Sequence, residues 1–120
     1  MYKHLSLQSL KSLEIIDKHL AVQMTDIFLS EYIEQDKYLQ KLIQSKNNFE
    51  FVRCIHAMKG SISVFGCASL CKSLKEIEQL AKTEKFDKSL IIYDQTRSNI
   101  NEFIQELRNF LSAVEDTSAA

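Results

Sequence analysis

The sequence predicts an all-α protein, an antiparallel four-helix bundle with a short additional N-terminal helix. The 120-residue chain has no proline and only two glycines, whereas β-rich folds need many such turn residues. Leu, Lys, Glu and Gln, which favour helices, are abundant. Apolar residues recur at spacings of three and four, the period of an amphipathic helix. Because the connections between these segments are short, antiparallel packing of neighbouring helices is expected.

The first two predicted helices cover residues 6–17 and about 21–45. The apolar spacing of the short one runs through Leu7, Leu10, Leu13 and Ile16. The long one carries Met24, Ile27, Phe28, Tyr32, Leu39, Leu42 and Ile43. Asn48 follows a polar break and fits the N-cap of the next helix, because an asparagine side chain accepts a hydrogen bond from a free N–H there.

Three more helices are predicted over about 49–65, 68–83 and 87–114. The first has an apolar stripe of Phe51, Ile55, Met58, Ile62 and Phe65, and Gly66 can supply the left-handed residue that closes it. The stripe of the second is Leu70, Leu74, Ile77 and Ala81. Asp87 fits the N-cap of the last, whose stripe is Tyr93, Ile100, Phe103, Leu107, Phe110 and Leu111. Residues 115–120 are small and polar and predict a frayed tail.

Composition narrows the classes of function. The length fits one domain, and a net charge of −1 predicts no broad attraction to nucleic acid or to an anionic membrane. No stretch approaches the roughly 20 apolar residues of a membrane span, and Met1–His4 lacks an apolar signal core. Cys54, Cys67 and Cys71 are odd in number and lack Cys-x-x-Cys spacing, which argues against a disulfide framework or a zinc site. A cytoplasmic monomer without a cofactor is expected.

The helix predicted at 49–65 carries a second face that its apolar stripe does not explain. At about 100° per residue, His56, Lys59, Gly60 and Ser63 fall together, away from the core side. Glycine inside a helix costs about 1 kcal/mol relative to alanine, yet the apolar pattern continues through Gly60 without a break. Gly60 therefore either packs closely against another helix or leaves the flank of His56 open.

That face suits phosphoryl capture. Imidazole is neutral and nucleophilic near pH 7, and one ring nitrogen can attack while an acceptor on the other fixes the tautomer. Lys59, one helical turn along, can neutralise charge on a group attached to His56. Glu78 lies twelve residues after Gly66 and His56 ten before it, so the two reach similar heights in a hairpin. Lys75 and Gln79 lie at nearly the same level, and an ordinary solvated glutamate remains the alternative.

The segment from His56 to Gly66 resembles the signature of histidine-containing phosphotransfer domains. That pattern is His-x-hydrophobic-Lys-Gly-Ser with a second glycine closing the helix, and each element is present as His-Ala-Met-Lys-Gly-Ser followed by Gly66. The departures are mild: Met58 replaces the commoner leucine, and Ile62 stands where many members have a small or polar residue.

The resemblance implies a four-helix bundle that is phosphorylated on Nε2 of His56. It implies that Lys59 assists the phosphoryl group, that Gly60 keeps the site open, and that Glu78 matches a polar residue some members place against the other nitrogen. The implied partners are receiver domains of response regulators or hybrid kinases, which supply the aspartate and Mg²⁺. No ATP-binding or kinase motif is present, so the chain would be a phosphoryl carrier rather than an autonomous enzyme.

Three alternatives remain at this point. The chain could be a docking module that binds a receiver domain without being phosphorylated, or a phosphatase that positions water on a phosphorylated receiver. A metal or cofactor bundle built on the histidines and cysteines is disfavoured, because Glu-x-x-His pairs are missing. Apolar candidates for docking are Ile27, Leu29, Ile33, Val52 and Val64.

Overall fold

The computed structural model describes residues 18–119, and within that range all regular secondary structure is helical. Four helices follow one another: α1 Lys18–Ser45, α2 Asn48–Ser63, α3 Ala68–Lys82 and α4 Phe86–Ala119. The prediction of an all-α chain is confirmed for these residues. The short helix expected at 6–17 lies outside them. None of the four described helices is both long and apolar enough to cross a bilayer.

Helix α2 begins one residue away from the prediction. Lys46 follows the last residue of α1 and has a left-handed backbone with φ 55°. The N-cap of α2 is therefore Asn47 and not Asn48. The Asn47 side chain accepts a hydrogen bond from the backbone N–H of Glu50. Asn48 lies inside the helix, where its Nδ2 donates to the carbonyl oxygen of Ala81 at 2.7 Å. That bond ties the start of α2 to the end of α3.

The other end of the α2–α3 hairpin is closed by Gly66. Helix α2 ends at Ser63, two residues before the predicted end, because its last turn tightens through bonds from Phe65 N to Ile62 O and from Gly66 N to Ser63 O. Gly66 has φ 70°, which glycine adopts at little steric cost. The two helices are therefore held in register at both ends.

Helix α4 differs from the prediction at both boundaries. It begins at Phe86, so Asp87 lies in its first turn rather than at the N-cap, since Glu84 has already turned the chain with φ 62°. The carboxylate of Asp87 is still favourably placed near the positive end of the helix dipole. The helix continues to Ala119, past the predicted end at Val114, because no proline or glycine interrupts those residues.

The core forms from the predicted apolar stripes with one clear exception. Phe28 makes edge-on ring contacts with Phe65 and Phe103 at 5.3 and 5.6 Å between centroids, which joins α1, α4 and the end of the hairpin. The α2 stripe is fully buried. Ile27, predicted within the stripe of α1, is 58% exposed because its neighbour Phe28 takes the inward direction.

The four helices pack around this core with contacts between α1 and α2, α2 and α3, α3 and α4, and α1 and α4. Helix α2 thus has α1 on one side, α3 on the other and the core beneath its stripe. Its remaining face is directed outward, and this is the face that carries His56.

Candidate functional site

His56 lies in the middle of α2 with its side chain 66% exposed. Its neighbours Ile55 and Met58 are fully buried and fix the rotation of the helix. The ring is nevertheless anchored on one side, because Nδ1 lies 2.9 Å from Oε1 of Glu78 on α3. The imidazole is therefore accessible and oriented at the same time.

Glu78 is the buried centre of this site. Its side chain is only 7% exposed, so an ordinary solvated glutamate does not describe it. Lys75 and Gln79, the alternatives at the same height, are both exposed. Lys59 donates from Nζ to Oε2 of Glu78 at 3.1 Å, and this ammonium is itself only 24% exposed. The structure thus brings His56, Lys59 and Glu78 together.

Lys82 completes the cluster and was missed by the sequence analysis. Its Nζ lies 3.3 Å from Oε1 of Glu78, the oxygen that also faces the imidazole. The sequence signal was the spacing of four residues between Glu78 and Lys82 on one helix, which places a glutamate and a lysine side by side. Such pairs are common on solvated helices, so the spacing alone did not single this one out.

The carboxyl group of Glu78 is ionised at neutral pH. Burial by itself would raise its pKa, but hydrogen bonds from Lys59, His56 and Lys82 outweigh that effect and hold the pKa below its ordinary value. An ionised carboxylate only accepts hydrogen bonds. The hydrogen-bond network therefore assigns the proton of the neutral imidazole to Nδ1 and leaves the lone pair on Nε2.

Nε2 is the nitrogen left for chemistry. Among the residues that the structure describes, no group hydrogen-bonds to it. The same division of roles, with one nitrogen bound to a carboxylate and the other reactive, underlies histidine in hydrolytic triads. Here the reactive nitrogen belongs to a largely exposed ring, so a group on a partner molecule can approach it.

Gly60 leaves open space beside His56. Among the described residues, a Cβ atom added to Gly60 would have no atom of another helix, and none of a side chain other than those of its two chain neighbours, within 4 Å. The alternative of close helix–helix packing at Gly60 is therefore wrong. A methyl group there would not contact the imidazole either, so only a longer side chain would shield it. Helix α2 continues to Ser63, which shows that Gly60 does not terminate it.

A surface depression adjoins His56. Toward the start of α2 lies a depression of about 800 Å³ lined in part by Phe49, Val52 and Arg53. Phe49 is 71% exposed, and the guanidinium of Arg53 lies 6.0 Å from its ring centroid.

Of the predicted docking residues, Ile27, Ile33 and Val64 are exposed, whereas Leu29 and Val52 pack partly against the core.

The cysteines and acidic groups do not form a second site within residues 18–119. The described part of the chain holds no cluster of three or more His, Cys, Asp or Glu side chains suited to a metal ion. All three cysteines are free thiols. Burial raises the pKa of Cys67 to about 12, so this thiol stays protonated and packs in the core.

In chemical terms the site combines a nucleophilic nitrogen, an anion that orients it and two ammonium groups. Comparison with protein-family models, with curated proteins and with solved structures finds no match to this chain. The functional interpretation therefore depends on the geometry of these four side chains.

Proposed function

We propose that this chain is a histidine phosphotransfer protein that carries a phosphoryl group on Nε2 of His56 between aspartate residues of receiver domains. One observation carries the proposal: an imidazole that is two-thirds exposed is held through Nδ1 by a buried carboxylate. This arrangement leaves Nε2 open to a phosphoryl donor.

The transfer step uses the lone pair on Nε2. It attacks the phosphorus atom of an aspartyl phosphate, the N–P bond forms, and the P–O bond to the aspartate breaks, so the aspartate leaves as a carboxylate. The ring gains positive charge while Nδ1 keeps its proton, and the carboxylate of Glu78 stabilises that charge. In the reverse step an acceptor carboxylate attacks phosphorus and the electron pair returns to Nε2.

Lys59 supplies charge neutralisation for the phosphoryl group. In the free protein its ammonium is held by Glu78, one turn along α2 from His56. A lysine side chain has four rotatable bonds, so Nζ can turn from the carboxylate toward a phosphoryl oxygen when His56 is loaded. Gly60 leaves the approach clear for the partner's aspartate.

The proposal assigns the metal chemistry to the partner. The receiver domain holds the Mg²⁺ that such transfer needs, and the present chain contributes the nucleophile and two ammonium groups. The chain would act as a cytoplasmic monomer. We also infer that α1–α4 form an antiparallel four-helix bundle, which is supported by connectors of two to four residues and by the order of helix contacts.

The test is transfer of labelled phosphate from a panel of phosphorylated receiver domains. Label on the wild-type chain should be acid-labile and base-stable, as expected for an N–P bond. The His56→Gln variant should take up none. His19→Gln removes another exposed histidine, on α1, and should be labelled like the wild type.

Other outcomes would favour the rival functions. Release of inorganic phosphate from the receiver without label on the chain would indicate a phosphatase. Tight binding to the receiver that His56→Gln leaves unchanged, again without label, would indicate a docking module. Label that persists in His56→Gln would contradict the proposed acceptor.

A further inference from the structure

A second depression lies beside the reactive face and is bordered by lysines. It has a volume of about 520 Å³, and Lys59, Lys72 and Lys75 line it together with Gly60 and other small residues. None of the described residues that line it carries a carboxylate. Gly60 lies six residues before Gly66, and Lys72 lies six residues after it. Gly60 and Lys72 therefore lie at the same height in the hairpin. The lysines therefore extend the His56 face across α3.

Lys72 and Lys75 differ from the other cations near the site. Lys59 and Lys82 are bound to Glu78, and Arg53 is bound to Glu50. Lys72 and Lys75 are exposed and form no ion pair with any described residue. They lie three residues apart on one helix, where like charges destabilise by a few tenths of a kcal/mol. Glu76 follows Lys72 by four residues, but no ion pair joins the two. Both ammonium groups are therefore open to a binding partner.

The charge of the hairpin fits a partner rich in carboxylates. Between Asn48 and Lys82 the chain has five basic and three acidic residues, although its overall charge is −1. The positive excess is thus local to the helices of the site. A partner that presents a phosphorylated aspartate needs further carboxylates to hold its divalent cation, so its face toward His56 is acidic.

We propose that Lys72 and Lys75 form an electrostatic recognition surface for the acidic face of the phosphoryl-exchanging partner. This inference rests on the proposed function for the identity of the partner. The two lysines contact neither His56 nor Glu78, so they act on encounter and partner choice rather than on the chemical step. Complementary charge of this kind raises association rates and lowers them again when salt is added.

The experiment compares variants that lose the same charge in different places. Lys72→Gln/Lys75→Gln removes the recognition surface, and Lys37→Gln/Lys41→Gln removes two exposed lysines on α1. At low ionic strength, the first should lower the second-order rate constant of transfer about 3- to 10-fold, as expected for loss of steering. The α1 variant should stay near the wild type. Near 1 M salt the difference should disappear, and Lys72→Arg/Lys75→Arg should restore the rate.

A binding measurement separates this inference from the proposed function. Titration of unphosphorylated receiver domains with each variant reports the affinity without any transfer. Equal rates, affinities and salt dependence for the two Gln variants would overturn the recognition surface while leaving phosphorylation of His56 intact. If the Lys72→Gln/Lys75→Gln variant binds more weakly but the wild type takes up no label, the proposed phosphoryl transfer is overturned and the recognition surface stands. Absence of both label and binding across the panel would overturn both.

Discussion

Glu78 and Asp36 each join neighbouring helices, and under the proposed function Glu78 supports a reactive group whereas Asp36 does not. Glu78 on α3 binds His56 and Lys59 on α2. Asp36 on α1 binds Arg97 on α4 through two hydrogen bonds of 3.0 and 2.8 Å, and accepts a third from the hydroxyl of Tyr93 at 3.1 Å. Each carboxylate is mostly buried, with side-chain exposures of 7% and 20%. In burial and number of donors the two clusters are alike.

The difference lies in the donors. The hydrogen bond to Asp36 raises the pKa of Arg97, and burial raises the pKa of Tyr93, so both donors keep their protons at any physiological pH. Neither offers a nucleophilic atom to solvent. His56 donates through one nitrogen and retains a lone pair on the other. Under the proposed function, this second, accessible and basic atom distinguishes the His56 cluster from the Asp36 cluster.

The strongest test of this comparison is removal of each carboxylate with transfer as the readout. Glu78→Ala should slow phosphoryl transfer by about 100-fold, because the tautomer and ring orientation are lost. Glu78→Gln should lose about 10-fold, since an amide oxygen still accepts from Nδ1 but carries no charge. Asp36→Asn is the matched control and should transfer like the wild type. A Glu78→Ala variant with unchanged rates would show that the carboxylate does not orient the reactive ring.

The next effect is on stability and concerns the other cluster. Asp36→Ala should lower the free energy of unfolding by about 2 kcal/mol, because it leaves the hydroxyl of Tyr93, a residue 1% exposed, without its acceptor. Urea unfolding followed by circular dichroism measures this. Tyr93→Phe should cost less and should add little in the Asp36→Ala background. Full additivity would mean that the two side chains stabilise the fold independently.

A smaller effect is expected where the reactive cluster opens to solvent. Gly60→Ala should raise the free energy of unfolding by about 0.5–1 kcal/mol, because alanine favours the helix and its methyl group would meet no other helix of the described structure within 4 Å. Transfer should remain within about twofold. Gly60→Phe should slow transfer about tenfold or more by covering the approach to Nε2. Rapid transfer by the phenylalanine variant would argue against a role for this open flank.

The smallest effect is a dependence of stability on pH. Since hydrogen bonds hold the pKa of Glu78 below its ordinary value of 4.5, its ionised form stabilises the fold above that value. The stabilisation should diminish as pH falls below 4.5 through the folded-state pKa. The difference in free energy of unfolding between the wild type and Glu78→Gln should therefore become smaller as the pH falls from 5 to 3. Denaturant unfolding curves at several pH values measure it. A gap that widens over this range would contradict the lowered pKa.

The reactive face could be predicted from the sequence because it depends on local periodicity. One helix fixes the relation between His56, Lys59 and Gly60, and the hairpin count placed Glu78 at the right height. The choice of Glu78 over Lys75 and Gln79 depends on how α3 is rotated against α2, which packing across the core decides. The left-handed conformation of Lys46, which moved the N-cap to Asn47, has no clear sequence signal since lysine rarely adopts it.

The contacts between Asp36, Tyr93 and Arg97 could not be predicted from the sequence. Asp36 and Arg97 are 61 residues apart, and the period of a helix carries no information over that separation. The sequence placed Ile27 both in the apolar stripe of α1 and among the docking candidates, and it could not decide between the two for a related reason. In a helix two adjacent apolar residues point about 100° apart, and only the packing of the other helices decides which one is buried.

All four side chains of the reactive cluster come from 27 consecutive residues, His56 to Lys82, within one helical hairpin whose register is fixed by Gly66 and by the bond from Asn48 to Ala81. The outer helices contribute none of them. Substitutions can therefore accumulate on α1 and α4 over evolutionary time, provided the core is maintained, without displacing the imidazole from its carboxylate. The same hairpin should hold these four side chains together wherever other helices bury its apolar stripes in the same way.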